Sequence, residues 1–359
     1  MESAYIANAG ARKEVVVHKR RDRQSMIVGL LVLLLVSIFL ISLMIGRYFI
    51  SLREVLLTFK ATFFAKTNAP ENLATLQTVL FQVRLPRIIG AVLIGAALSI
   101  AGTTYQGMFK NPMVSPDILG SAAGAGFGAA FGILMSAGII GIQLLSFGFG
   151  LLAVCLTYFI AIRFDRHNHA TLVLVLAGMV VSTLFTSFIS LTKYVADPYS
   201  KLPAITFWLM GSLASLNFKD IGFVSIPVVL GAIPLILLRW KMNVLSFGEE
   251  EAQALGVNTK HLRAVIIVCA TMMTSAAVSV SGLIGWVGLV IPHLARMLVG
   301  PNYKILLPTS ILIGGIYLLI VDNLARNLFA MEIPLGILTA LIGAPFFVYL
   351  LMKGKRGWV

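Results

Sequence analysis

The sequence contains few charged residues: only 12% of its 359 residues are Asp, Glu, Lys or Arg, whereas 58% are hydrophobic. A soluble core of this length cannot bury that much apolar surface, so the composition excludes a soluble globular protein. Ten segments reach or approach the roughly 20 apolar residues that a helix needs to cross the hydrocarbon. The sequence therefore predicts an all-α polytopic membrane protein with about ten transmembrane helices, at residues 26–46, 84–106, 115–137, 143–163, 171–192, 220–238, 264–283, 286–300, 306–322 and 334–352.

Acidic residues are half as frequent as basic ones, 14 against 28. If the N-terminus is cytoplasmic, 18 of the 28 Lys and Arg residues fall on the cytoplasmic side, in agreement with the positive-inside rule. We therefore expect a basic cytoplasmic tail at residues 1–25, a transmembrane domain at 26–352 and a second cytoplasmic tail at 353–359. The net charge of +14 then reflects topology and contact with anionic membrane lipid, and nucleic-acid binding is disfavoured.

Residues that carry catalysis or bind metals are also scarce. The only two cysteines, Cys155 and Cys269, lie in separate apolar segments and predict neither a disulfide nor a metal site. The sequence has no Walker loop, no H-E-x-x-H motif and no nucleophile elbow, so we expect no catalytic residues and no enzyme. Acidic residues lie almost wholly in predicted loops and at the ends of the predicted segments, which argues against an ion-driven carrier, since such carriers bind the ion well within their spans.

One polar stretch, Ser246 to Val257, separates two apolar blocks on the predicted cytoplasmic side. Ser246 and Glu249 have the spacing of a capping box, Glu249 to Glu251 suit the positive end of a helix, and Gly256 is a typical stop. The pattern predicts a short helix at about 247–256. It is either a solvated connector or a docking helix for a cytoplasmic partner, with apolar contacts from Leu245, Phe247, Ala252 and Leu255.

Arginines and prolines mark further positions. Arg84 and Arg87 lie at the predicted outer end of the second segment, either as interface anchors or as a socket for an external carboxylate. After that segment, Asn111 with Pro112 and Pro116 predicts a non-helical break, either an ordinary turn or part of a gate. The prolines near residues 198–217 predict a short outer or re-entrant helix.

Glycines at four-residue spacing, Gly120, Gly124 and Gly128, predict a close helix–helix contact. A weak repeat also relates two parts of the chain at an offset of 180 residues, where Gly102 aligns with Gly282. The two parts would run in opposite directions through the membrane. The pattern therefore predicts an inverted repeat of the kind found in transporters.

Seven motifs follow one another in order: RLPR at 84–87, G-x-x-x-Q at 102–106, NPMVSPDILG at 111–120, LAGM at 176–179, GEEEAQALGV at 248–257, GLVIPHLAR at 288–296 and EIPLGILTALIGAPFF at 332–347. The resemblance that they mark covers the chain from about Val28 to Met352. In this combination the chain resembles the permease subunits of the FecCD family, the ABC importers of ferric siderophores, haem and vitamin B12. The resemblance implies the type II importer fold, and a homodimer in a bacterial or archaeal cell membrane. It also implies two cytoplasmic ATPase subunits that bind ATP and Mg, and one extracytoplasmic substrate-binding protein.

The same resemblance predicts the cargo and the site residues. It implies no cofactor on this chain, and a cargo that is an iron chelate or haem, with vitamin B12 or an oxyanion such as molybdate as alternatives. A secondary transporter or channel without an ATPase is the alternative from a different class. The predicted site residues are, for ATPase coupling, Phe247, Glu249, Glu250, Glu251, Ala252, Leu255 and Gly256; for docking of the binding protein, Arg84, Arg87 and Arg326; and for the cytoplasmic gate, Asn111, Met113, Ala170, Thr171 and Leu172.

Overall fold

The computed structural model describes residues 2–63, 72–164 and 170–353, and within this part of the chain every regular element is a helix. The side chain of Ala170 and the tail at 354–359 lie outside the described residues. The helices are α1 Glu2–Met44, α2 Leu52–Phe63, α3 Leu73–Gln77, a π-helical turn Thr78–Arg84, α4 Leu85–Met108, α5 Ser121–Leu134, α6 Gly138–Phe164, α7 Ala170–Val195, α8 Lys201–Leu209, α9 Phe218–Leu237, α10 Arg239–Phe247, α11 Glu249–Ala254, α12 Thr259–Ser281, α13 Val287–Val299, α14 Tyr303–Asn327 and α15 Leu335–Lys353.

Seven helical runs in the described residues are long and apolar enough to cross a membrane, and three apolar helices are shorter. The long runs are Asp22–Met44, Leu73–Met108, Gly138–Phe164, Thr171–Val195, Phe218–Leu237, Thr259–Ser281 and Tyr303–Asn327, and the short ones include α5 and α13. The predicted all-helical membrane class is confirmed, whereas the count of ten spans stays a prediction. Helix α1 begins at Glu2 and continues through the predicted basic tail at 1–25, and the division into cytoplasmic tails and a membrane domain stays a prediction.

The second predicted segment starts earlier than residue 84. Helix α3, the π-helical turn and α4 form one continuous run, so Arg84 and Arg87 lie inside a helix rather than at its entry. Pro86 explains the π-helical turn, because proline lacks an N–H and its ring clashes with the carbonyl four residues earlier. A wider turn before it relieves that clash.

Glycines allow the central helices to pack closely. A Cβ atom on Gly102 of α4 would lie 1.8 Å from the carbonyl oxygen of Gly288 in α13, and one on Gly95 would lie 2.2 Å from that of Gly314 in α14. The predicted close contact is confirmed for Gly124 and Gly128, which meet the backbone of α6 in the same way, whereas Gly120 precedes α5 and faces Ser182 of α7. Small residues thus set the helix spacing, as in other membrane bundles.

Three irregular segments enter the bundle between these helices. The segment 109–120 reaches Ser182, about halfway along α7, before α5 begins. The second, at about 198–217, contains the predicted short helix as α8, whose last residue, Leu209, approaches Gly126 in the middle of α5. Its assignment as an outer or a re-entrant helix stays a prediction. The segment 282–286 meets the end of α8 at Trp208 and precedes α13. Such backbone is tolerated at membrane depth because it is packed within protein.

Helices α4 and α12 run in opposite directions, since Met108 at the end of α4 and Arg263 near the start of α12 line one cavity. Each is followed by an irregular segment and a short helix, as an inverted repeat requires. The offset of 180 residues is wrong, however, because it pairs Gly120 at the start of α5 with Gly300 at the end of α13. Both glycines have positive φ, 90° and 84°. They are identical because each turn needs glycine, and not because they occupy equivalent positions of a repeat.

Candidate functional site

The polar stretch forms two short helices, with α10 ending at Phe247 and α11 beginning at Glu249. The predicted single helix at 247–256 is therefore divided at Gly248. The predicted capping box is wrong: Ser246 is still inside α10, and its hydroxyl donates to the carbonyl of Asn243 at 2.6 Å. Gly248 occupies the cap position of α11, and no side chain bonds there.

The predicted stop at Gly256 is confirmed. Gly256 has φ of +78° and donates to the carbonyl of Gln253, while Val257 donates to that of Ala252, both at 2.9 Å. These two bonds form a Schellman motif, which requires a left-handed residue where glycine has no Cβ penalty. The end of α11 is thus fixed by its own backbone.

The predicted coupling residues divide into two groups. Ala252 and Leu245 are fully buried in the core of this chain, so the predicted apolar contact face is wrong for them. Phe247 and Leu255 are 76% and 61% exposed and remain available to a partner. Glu250, Glu251 and Gly256 are also exposed, and Glu249 is partly buried. Contact of the exposed residues with an ATPase stays a prediction.

Glu249, the first residue of α11, forms an ion pair with Arg263 of α12. The guanidinium of Arg263 also donates to the hydroxyl of Thr171 near the start of α7, at 3.1 Å. Its side chain is only 13% exposed. Arg263 therefore connects α11 directly to one of the predicted gate residues, a link that the sequence analysis missed. No sequence signal indicated this link, because Arg263 lies just before the predicted segment at 264–283, where cations are common.

This ion pair borders a cavity of about 530 Å³ at the end of the bundle that carries α11. Three predicted gate residues, Asn111, Thr171 and Leu172, line this cavity. Met113 is 54% exposed and its backbone N–H donates to the Asn111 side chain at 2.9 Å, which forms an Asx turn. The cavity is lined by Met108, Phe109, Lys110, Asn111, Val114, Ile118, Thr171, Leu172, Val175, Leu245, Glu249 and Arg263.

The three predicted docking arginines lie at the opposite end and are buried, with exposures of 3% for Arg84, 4% for Arg87 and 7% for Arg326. Arg84 donates to the carbonyls of Leu43, Met44 and Tyr48, and so caps the C-terminal end of α1. An open arginine socket is therefore not what the structure shows.

Arg87 and Arg326 belong to a four-residue charge network. Nε of Arg87 lies 2.8 Å from Oδ1 of Asp322, and its Nη1 lies 2.9 Å from Glu332. Nε of Arg326 lies 3.2 Å from Oδ2 of Asp322, an ion pair without hydrogen-bond geometry. Asp322 is fully buried, whereas the side chain of Glu332 is 35% exposed. The charges of the two arginines and the two carboxylates therefore neutralise each other within the chain.

A second cavity of about 360 Å³ lies where the irregular segments meet, and Asp117 and Trp286 line it. Asp117 lies at the start of the predicted segment 115–137, but in the structure it belongs to the irregular segment 109–120, which enters the bundle. Acidic residues are therefore not confined to the ends of the spans, and Asp322 also lies within α14. Their positions no longer argue by themselves against an ion-driven carrier.

Comparison with known proteins resolves this question. The chain matches the FecCD transport family over residues 33–353. It is 45% identical to the molybdate import system permease MolB of Haemophilus influenzae, over 91% of this chain and 95% of that protein. It is 40% identical to a Helicobacter pylori permease named for iron chelatin transport, over 79% of this chain and 86% of that protein.

A solved structure has the same fold. It is described as an inward-facing ABC transporter of the metal-chelate type, and it covers 92% of this chain and 99% of its own, with a TM-score of 0.82 and 42% identity. The sequence match and the helical architecture agree. The chain therefore belongs to the FecCD transport family and is a permease subunit of an ABC importer, not itself an enzyme.

Proposed function

We propose that two copies of this chain form the translocation pathway of an ATP-driven importer in a bacterial or archaeal cell membrane. Both termini and α11 lie on the cytoplasmic side, where one ATPase subunit, carrying ATP and Mg, binds each copy. A soluble binding protein delivers the cargo at the opposite end. The observation that carries this proposal is the exposure of Phe247, just before α11, and of Leu255, just after it, while Ala252 and Glu249 hold α11 beside the gate cavity.

The test is co-purification of the permease with its ATPase subunits from detergent. Replacing Phe247 and Leu255 together by Asp should remove the ATPase from the complex, because both side chains are exposed and lose only partner contacts. Tyr199→Asp is the matched control, since Tyr199 is 93% exposed but follows α7 at the opposite end. Uptake by the permease without any ATPase would instead favour a secondary transporter or channel.

The cargo that we propose first is an oxyanion of the molybdate class. The relative that transports molybdate is 45% identical over nearly the whole chain. The gate cavity also suits an anion, because Glu249 and Arg263 in its lining pair with each other, which leaves the positive charge of Lys110 beside the amide of Asn111. An iron chelate, which the sequence analysis favoured, is the second candidate because of the iron chelatin relative. Binding of molybdate and of ferric chelates to the purified partner binding protein separates them.

The arginines retain a role in docking within this proposal, but an indirect one. Glu332 is the most exposed member of the network, and it already occupies Arg87. A carboxylate from the binding protein would therefore compete with Glu332 for that arginine. Arg84 would act by holding the end of α1 in place behind the docking surface, and Arg326 by pairing on its own helix with Asp322, the buried partner of Arg87.

A further inference from the structure

Helices α10 and α11 are attached to different parts of the bundle. On α10, the Asn243 side chain accepts from the backbone N–H of Tyr303 at 2.8 Å and donates to Asn302 at 3.1 Å, at the start of α14. Met242, Val244 and Leu245 of α10 are also buried. Helix α10 is thus fixed to the body of the chain.

Helix α11 is attached to α12 instead. Its Glu249 pairs with Arg263, and its Gln253 side chain donates to the Thr259 hydroxyl at 3.1 Å. Ala252 packs against the core between these two polar contacts. Movement of α11 must therefore involve the first turns of α12.

Arg263 extends this attachment to a third helix. The same guanidinium that pairs with Glu249 donates to Thr171, whose neighbour Leu172 is 59% exposed at the cavity. Lys110 and Asn111, from the segment after α4, line the same cavity. A shift of Thr171 therefore moves one part of the cavity wall relative to another.

The geometry points to Arg263 as the residue that transmits movement of α11 to the gate residues of α7. This inference rests on the proposed function, because it takes α11 to be the helix that the ATPase moves. Arginine suits this role because its planar guanidinium offers five donors and can hold two acceptors at once. Lysine carries a point charge, so it would keep the attraction to Glu249 but lose the fixed geometry toward Thr171.

The first test uses the full transporter in proteoliposomes, with its ATPase subunits and loaded binding protein, and measures cargo uptake and ATP hydrolysis together. Arg263→Gln should lower uptake per ATP by about tenfold, the factor expected from losing one charge-assisted hydrogen bond. Hydrolysis should persist. The uptake per ATP of Arg263→Lys should lie between the values for Arg263→Gln and for the unmodified chain.

Two further variants separate a link from a structural role. Thr171→Val removes only the acceptor on α7 and should also reduce uptake per ATP. Lys260→Gln removes an exposed cation three residues earlier on α12 and should leave the ratio unchanged. An unchanged ratio of uptake to ATP hydrolysis in Arg263→Gln would overturn the inference. Loss of ATPase binding in that variant would also overturn it, because Arg263 would then only shape the docking surface.

The second test needs no ATPase and so remains decisive if the proposed function fails. Spin labels are placed at Glu250→Cys on α11 and Leu172→Cys on α7, with Cys155 and Cys269 replaced by Ala. The distance distribution should be narrow with Arg263 present, broad in Arg263→Gln and narrow in Lys260→Gln. An equally narrow distribution in Arg263→Gln would refute the link. Failure of the unmodified transporter to import with its ATPase would refute the proposed function alone.

Discussion

Asp322 provides a direct test of the buried charge network. Asp322→Asn keeps the size of the side chain and removes one negative charge from a network of two arginines and two carboxylates. Asp322 is fully buried and contacts both Arg87 and Arg326, which are 4% and 7% exposed. The substitution leaves an uncompensated positive charge in a site from which water is excluded.

The expected loss follows from this burial. Removing one partner of a buried ion pair costs about 3–5 kcal/mol, because the remaining charge stays desolvated. Glu332→Gln removes an equal charge from the same network, but the Glu332 side chain is 35% exposed. Solvent screens such a pair, so we expect Glu332→Gln to lower the free energy of unfolding by about 1 kcal/mol or less. The two variants differ in burial and not in the charge removed.

The assay is reversible unfolding of the purified permease in mixed detergent micelles, followed by helicity as the denaturing detergent increases. The free energy of unfolding should fall by at least about 2 kcal/mol more for Asp322→Asn than for Glu332→Gln, given the two ranges above. Equal losses would refute the reasoning, because burial would then not decide the cost. The affinity of the folded variants for the binding protein, measured in parallel, separates docking from stability.

Two glycine substitutions test the packing and the end of α11 by the same unfolding assay. Gly102→Ala should destabilise the chain by about 1–3 kcal/mol or more, because its Cβ would lie 1.8 Å from the Gly288 carbonyl oxygen. Gly148→Ala, whose Cβ meets nothing within 4 Å, should be neutral or slightly stabilising, and equal effects would contradict the proposed contact. Gly256→Ala should lower the free energy of unfolding by about 1–2 kcal/mol, because the left-handed φ of +78° is strained for alanine. No loss there would mean that the Schellman motif is not maintained.

Hydropathy predicted the fold well because crossing a membrane imposes a long apolar run on the local sequence. The short helix α8 and the stop at Gly256 were likewise predictable, since proline and glycine act on their immediate neighbours. Helix starts were less predictable. The run that contains Arg84 begins at Leu73, because the polar and charged residues before α4 remain compatible with a helix that packs against protein.

The charge contacts of the site could not be predicted from local patterns. Arg87 and Asp322 are 235 residues apart, and Arg263 and Thr171 are 92 apart. Each arginine alone looks like an interface anchor, and only the packing of the helices shows what it binds. The division of the polar stretch at Gly248 was missed for a related reason. Burial of Met242, Val244 and Leu245 extends α10 into a region whose residue types favour one capped helix.

The separate attachments of α10 and α11 change what the two exposed apolar residues can do. Phe247 ends α10, which Asn243 holds against the start of α14. Leu255 follows α11, which Glu249 ties through Arg263 to Thr171 at the gate. A partner that grips both residues therefore acts on two different parts of the bundle. Because interactions that differ between states are what shift an equilibrium, displacement of α11 relative to α10 is the movement that would reach the gate.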